Sequence, residues 1–326
     1  MWTRLTDRIH FRVREGIASA TIMDDEAGAP SDWHGAAERA PFLTTSRAGT
    51  VGSLVLLSVL FLVLYGRVLE GMAQQWWSDP NYGHGFLVPV FAAYILWRER
   101  GRGLEVPIQT TNWGLPIMIF AIGLLILGTL GSEHFTARIS MLALIAGTIV
   151  FLAGWQTLRS VAFPMAYLVF MIPLPAILYY QLTFPLQLLA SRLGADGLVA
   201  LGVPTIREGN LLLLPNCTLE VVEACSGVRS LLSLLAAVVG YVYLAERGIW
   251  KRGILIALTV PIVILSNGFR LVATGVLSYF YGPSVDSGLV HTALGLVFFG
   301  LAFLSILLVH RLLRQSAGKQ IRVSAH

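Results

Sequence analysis

Three polar side chains within or beside apolar segments are the candidate reactive groups of this chain: Cys225, Arg270 and His291. Cys225 comes directly before a long apolar run and is one of only two cysteines. The N-terminus of a helix carries partial positive charge and free N–H groups, both of which favour a thiolate over a thiol. This position therefore favours Cys225 as a nucleophile at a membrane surface.

Two other roles for Cys225 stay open at this point. A cysteine usually behaves as a small buried hydrophobic residue. Cys225 and Cys217, with seven residues between them, could also form one disulfide in an outward-facing loop. The spacing of the two cysteines does not decide between these roles.

Arg270 and His291 would complete a thiol acyl-transfer site. Arg270 lies 19 residues after Lys251 in one apolar run, and a helix of that length spans about 28 Å. A cation at that depth either reaches the lipid headgroups or stabilises an anion, here a thiolate or an oxyanion. His291 begins the last apolar run and is either simply solvated there or a general base and acid.

Four further residues are candidates for support or substrate binding. Arg229 lies one helical turn after Cys225, where it tunes the thiol or pairs with Glu223. His84 lies between two glycines at the start of an apolar run, which suits substrate positioning or loop capping. Asn267 precedes Arg270 by three residues.

Because the chain has no HExxH, Walker A, GxGxxG or CxxC arrangement, we expect no metal and no cofactor.

The elements that hold these residues are predicted to be membrane-spanning helices. The chain has 326 residues, of which 56% are hydrophobic and 13% charged, whereas soluble domains carry about 25% charged residues. The net charge is +5. The lysines and arginines are concentrated in short loops, which indicates membrane topology rather than a nucleic-acid partner. The fold class is therefore an all-α polytopic membrane protein. Eight spans are predicted, at 51–66, 85–98, 113–131, 139–155, 160–179, 226–245, 252–281 and 289–309.

The distribution of Lys and Arg orients these spans with both termini in the cytoplasm and with Cys225, Arg270 and His291 outside. We divide the chain into a polar tail at 1–45, a transmembrane domain at 46–312 and a basic tail at 313–326. The connection before Cys225 is predicted to form a small cap. It contains an amphipathic helix in the plane of the interface and three short strands, at Phe184–Ala200, Thr205–Arg207, Asn210–Leu214 and Thr218–Val222.

Three ordered segments resemble the motifs of the exosortase/archaeosortase family. They are Glu-Ala-Cys-Ser-Gly-Val-Arg-Ser-Leu at 223–231, Asn-Gly-Phe-Arg at 267–270, and His291 followed by Gly295. The similarity to bacterial exosortases extends from about Val51 to Arg311. It includes Asp79–Pro89, Pro173–Pro175, Pro185–Gln187 and Gly202–Asn210.

The resemblance implies a polytopic enzyme of the bacterial inner membrane, a cysteine protease or transpeptidase. Its partners would be membrane lipids and exported proteins with a C-terminal sorting signal, which consists of a Pro-Glu-Pro-type motif, a transmembrane helix and a basic tail. It implies Cys225 as nucleophile, Arg270 as essential cation and His291 as general base and acid. It leaves open whether water or an acceptor carrier receives the product.

Two other classes of protein share parts of this pattern. A transporter or channel also has intramembrane arginines and broken helices, but its polar groups usually lie near the midplane. An envelope glycan polymerase or ligase also uses arginines and histidines at the outer face, yet it has no need of a nucleophilic thiol.

Overall fold

The computed structural model describes residues 47–104, 108–221, 227–282, 285 and 288–323. The described residues divide into two units after Val55, and the first of these contains only the beginning of α1. The helices are α1 Arg47–Ser78, α2 Leu87–Leu104, α3 Gly114–Leu130, α4 His134–Ser160, α5 Ala162–Tyr167, α6 Ala176–Ala200, α7 Val228–Ala245, α8 Ile249–Tyr281 and α9 Gly288–Val323. Short 3-10 helices at Gly83–Phe86 and Leu168–Met171 precede α2 and follow α5.

A mostly helical membrane protein with a small β cap is confirmed, although the spans are fewer than predicted. Among the described residues, five helices are long and apolar enough to cross a membrane, namely α1, α4, α7, α8 and α9. A sixth span results if α5, its 3-10 helix and α6 are counted together. The predicted span at 85–98 is α2, which ends in charged residues, and the one at 113–131 is α3, which is only 17 residues long.

A sharp bend divides the predicted span at 160–179. The helical segment that ends at Met171 and the following α6 meet at 75°. Pro173 and Pro175 lie at this bend, where a proline lacks an N–H and disfavours helical geometry in the residue before it. Helix α6 begins at Ala176, so the predicted amphipathic helix is the second part of α6.

Small residues, together with Leu198, form the buried face of the second part of α6. Ala190, Gly194 and Ala195 are buried, while Leu189 is 38% exposed. A Cβ at Gly194 would lie only 2.6 Å from Cδ2 of Leu271 on α8. The helical prediction is therefore confirmed, and the close approach of α6 to α8 explains which residues are buried. That α6 lies in the membrane interface remains a prediction.

The three predicted strands form an antiparallel sheet in the order β1-β2-β3. They are β1 Ile206–Glu208, β2 Leu211–Leu213 and β3 Thr218–Glu220, each within two residues of its predicted bounds. The turn between β1 and β2 contains Gly209 at φ +64°, in the left-handed region that favours glycine. Buried Leu212 and Leu219 pack with Leu198 of α6 and Leu271 of α8. The end of the bundle that carries this sheet is called the cap end below.

Helices α7, α8 and α9 pack along one another and form the unit that holds the candidate site. Their shared core contains Leu234 of α7, Val263 of α8 and Ile306 of α9. Helix α7 follows the sheet in the chain, so its first turn lies at the cap end. Its last residue, Ala245, therefore lies at the opposite end.

A buried polar cluster joins α7 to α9 at that opposite end. His310, only 2% exposed, hydrogen-bonds to the Tyr241 hydroxyl through Nδ1 at 2.7 Å and to Glu246 through Nε2 at 3.2 Å. Burial opposes ionisation of Glu246. Even so, hydrogen bonds from the Gly248 amide, His310 and the Arg247 amide, together with the charge of Lys251, lower the pKa of Glu246 to about 2.

Candidate active site

The central feature of the site is a hydrogen bond between Arg270 of α8 and His291 of α9. Nη2 of Arg270 lies 2.8 Å from Nε2 of His291. Because a guanidinium can only donate, Nε2 is the acceptor and the imidazole is neutral in this arrangement. Arg270 is only 8% exposed, so it is a paired interior cation rather than one that reaches the headgroups. The sequence predicted a common depth for these residues, and the structure shows their lateral contact.

Neighbouring residues fix the two helices around this pair. The Ser266 hydroxyl on α8 donates to the carbonyl of Phe298 on α9 at 2.8 Å. Gly295 lies one turn after His291 and faces the arginine, because a Cβ there would be in ordinary contact with Cζ of Arg270, at 3.6 Å. The guanidinium thus packs against α9 at Gly295.

The first turn of α7 lies beside the same part of α8. Gly227 precedes α7 with φ +82°, and a Cβ at this position would lie 3.1 Å from Cγ of Asn267. Asn267 is buried one turn before Arg270, so Gly227 lies close to the arginine-bearing turn. Helix α7 begins at Val228 and not at the predicted residue 226. Two predicted site residues, Glu223 and Cys225, lie outside the described residues.

Arg229 has a partner that the sequence did not indicate. Its Nε donates to Oδ1 of Asn81 at 3.0 Å. Asn81 is 7% exposed, and its backbone N–H donates to Oδ1 of Asp79 at 2.9 Å. Arg229 therefore connects the first turn of α7 to the loop between α1 and α2. Pairing with Glu223 and an effect on the thiol remain predictions.

His84 lies on another side of α7. Its Nδ1 is 3.3 Å from the Ser233 hydroxyl, whereas Arg270 shares a small cavity with Ser230 and Leu234. Burial lowers the pKa of His84, although hydrogen bonds with the backbone of Phe170 and Asn81 partly oppose this. His84 and Ser233 also line one part of an apolar groove of about 890 Å³ that follows α2 and α7 as far as Arg98 and Ala245. His84 is thus placed to support α7 rather than to contact Arg270.

The site residues fall within a segment shared with a known family. A family model described as transmembrane exosortase (Exosortase_EpsH) matches residues 76–308. This match covers well over half of the 326 residues and includes the three segments singled out above. The chain belongs to the transmembrane exosortase family, which makes it a multi-pass membrane protein. Membership implies a membrane sorting enzyme that acts on C-terminal signals. Comparison with curated proteins and with solved structures gives no match.

Within the described ranges, no group of His, Cys, Asp and Glu has the arrangement of a metal site. The expectation of an enzyme without metal or cofactor remains a prediction from the sequence. The geometry that is present consists of a paired cation and imidazole next to a helix start, which suits acyl transfer.

Proposed function

We propose that this protein is a membrane-embedded cysteine protease or transpeptidase. It cleaves the C-terminal sorting signal of exported proteins at the outer face of the bacterial inner membrane, with Cys225 as nucleophile. The observation that carries this proposal is the buried Arg270–His291 hydrogen bond beside the start of α7. The cation comes from α8 and the imidazole from α9, and both lie beside the start of α7. Cys225 lies three residues before α7 begins at Val228.

The proposed reaction assigns one step to each residue. The thiol proton of Cys225 passes to His291 as the sulfur bonds to the scissile carbonyl carbon, and Arg270 stabilises the oxyanion that forms. The C–N bond then breaks, and the proton on His291 passes to the leaving amine. Water or another nucleophile attacks the thioester, and its proton returns to the thiolate. The product leaves as an acid or as an adduct.

The observed hydrogen bond sets a condition on this sequence of steps. The lone pair of His291 Nε2 accepts from Arg270 in the structure, so this nitrogen cannot take the thiol proton at the same time. The bond must open when Arg270 turns toward the substrate oxyanion. Substrate binding would then free His291 to act as the general base while Arg270 stabilises the oxyanion.

The proposed orientation places the cap end outside and both termini in the cytoplasm. It is supported by cations at the opposite end. Arg98 lies near the end of α2, and Lys251 and Arg252 lie in the first turn of α8. A substrate helix halted by its basic tail would hold the preceding Pro-Glu-Pro-type motif at a fixed height. Holding the scissile carbonyl there supplies the proximity on which such catalysis depends.

Substitution of the observed pair tests the proposal. Arg270→Ala and His291→Ala should each lower processing of a C-terminally tagged sorting substrate in membranes by about a hundredfold or more. Arg192→Ala is the matched control, because Arg192 is exposed on α6, and it should process normally. Normal processing by a folded Arg270→Ala or His291→Ala protein would contradict the proposal.

A further inference from the structure

A buried arginine faces a second cleft at the cap end. Arg138, in the second turn of α4, is only 7% exposed and lines a cleft of about 360 Å³. Among the residues that the structure describes, it forms no hydrogen bond or ion pair, and the negative charge of Glu133 acts on it only through space. A buried cation whose N–H groups form no hydrogen bond is costly, and a carboxylate is the acceptor that matches a guanidinium best. The cleft is therefore suited to an anionic group.

The two acidic residues of the cleft are already engaged elsewhere. Glu133 caps α4 and accepts from the amides of Phe135 and Thr136 at 3.3 and 2.6 Å. Asp79 accepts from the backbone N–H of Asn81 at 2.9 Å. Their negative charges weaken the attraction of the cleft for every anion, and they do so more for a doubly charged one such as phosphate. A single carboxylate is therefore the anion that can reach the Arg138 guanidinium at the smaller electrostatic cost.

The walls of the cleft are aromatic and proline-rich. Tyr82 and Tyr179 have ring centroids 6.1 Å apart, and Tyr179 meets Tyr180 edge-on at 5.7 Å. Pro173 and Pro175 line the same space. Grooves with aromatic walls bind extended, proline-containing peptides, which have little conformational entropy to lose. The volume also lies within the usual range of ligand clefts.

The cleft adjoins the start of α7. Tyr82 and Tyr179 pack with Val228, the first residue of α7, and Asn81 on the cleft wall accepts from Arg229. A peptide segment in this cleft would therefore lie next to the helix that follows Cys225 in the chain.

We propose that this cleft binds the acidic residue of an extended, proline-containing segment of the sorting signal, with Arg138 as the partner of its carboxylate. The inference rests on the proposed function and assigns its substrate recognition to particular residues. Arg138 acts in substrate binding and takes no part in bond breaking.

The test compares two substrates with two enzymes. Tagged substrates that differ only by Glu→Gln in the Pro-Glu-Pro motif are processed in membranes by the wild type and by Arg138→Gln. The wild type should show a value of kcat/KM for the Glu substrate at least about tenfold higher, as expected for a charged hydrogen bond. Arg138→Gln should process both substrates at nearly equal rates, and its rate on the Gln substrate should match that of the wild type.

Several results would overturn the inference. One is an Arg138→Gln protein that keeps the wild-type preference for Glu, and another is a wild type that cleaves both substrates equally. Inhibition by inorganic phosphate that Arg138→Gln abolishes would assign the cleft to phosphate instead. A wild type that cleaves neither substrate would refute the proposed function itself.

A second variant keeps the test decisive if Arg138→Gln does not fold. Tyr180 is 60% exposed on the cleft wall, so Tyr180→Ala should fold normally. It should raise KM for the Glu substrate several-fold and leave kcat nearly unchanged. An unchanged KM would overturn the inference. Tyr281→Ala is the matched control, because Tyr281 is 75% exposed at the end of α8.

Discussion

Gly227 and Asn267 lie in close contact where α7 meets α8, with only 3.1 Å between Cγ of the asparagine and the place a Cβ of residue 227 would occupy. Gly227 combines this contact with a left-handed φ of +82°. A glycine is therefore needed here for two reasons, backbone conformation and space. This contact sets the position of the helix start relative to Arg270, one turn further along α8.

Gly227→Ala should reduce processing more than it reduces stability. The new methyl group must push Asn267 away, and a small shift at a reaction centre can lower the rate by about a hundredfold. Processing in membranes and thermal unfolding in detergent are the two measurements. Gly202→Ala is the matched control, since Gly202 has φ +80° with no atom within 4 Å of its would-be Cβ. Equal processing by the two variants would show that the Asn267 contact is unimportant.

Asn81→Ala and Arg229→Ala should have effects that are not additive. Each substitution breaks the 3.0 Å hydrogen bond between α7 and the loop after α1, and a charged hydrogen bond contributes about 1.5–3 kcal/mol. Free energies of unfolding, or inactivation temperatures, of both single variants and the double variant give the coupling. Additive losses would mean that the hydrogen bond contributes nothing. Arg207→Ala, at an exposed arginine of β1, should change little.

The cluster at the end opposite the cap should make stability depend on pH in the acid range. Backbone and His310 hydrogen bonds lower the pKa of Glu246 from 4.5 to about 2, against the effect of burial. A carboxyl group with a lowered pKa stabilises the folded protein above its unfolded pKa, and this stabilisation is lost as the pH falls through the folded value. The Tm of the wild type should therefore exceed that of Glu246→Gln by a constant amount above about pH 5. The difference should shrink toward pH 2. A difference that stays constant down to pH 2 would contradict this assignment.

The sequence predicts the parts of this protein that depend on local patterns. Strands β1 to β3 are predicted as short segments that Gly209 and Pro215-Asn216 separate. The common depth of Arg270 and His291 follows from counting helical rise from charged loops. Their hydrogen bond could not be predicted, because lateral contact depends on how α8 and α9 pack.

Other features were missed because they depend on partners far along the chain. The Asn81–Arg229 bond joins residues 148 positions apart, and neither spacing nor periodicity indicates such a pair. His310 is indistinguishable in sequence from a histidine at a membrane boundary, yet its partners on and after α7 make it a buried link. The bend before α6 could have been anticipated from Pro173 and Pro175, but its 75° angle could not.

The most direct test of the account is the processing of a tagged sorting substrate by Cys225→Ala and Cys217→Ala in membranes. Cys217 lies half-buried beside the sheet core, which makes Cys217→Ala the matched control. If Cys225 is the nucleophile, Cys225→Ala should lose at least about a thousandfold in rate, and Cys217→Ala should remain near wild type. Equal losses in both variants would indicate a structural disulfide, and normal processing by Cys225→Ala would contradict the proposed mechanism outright.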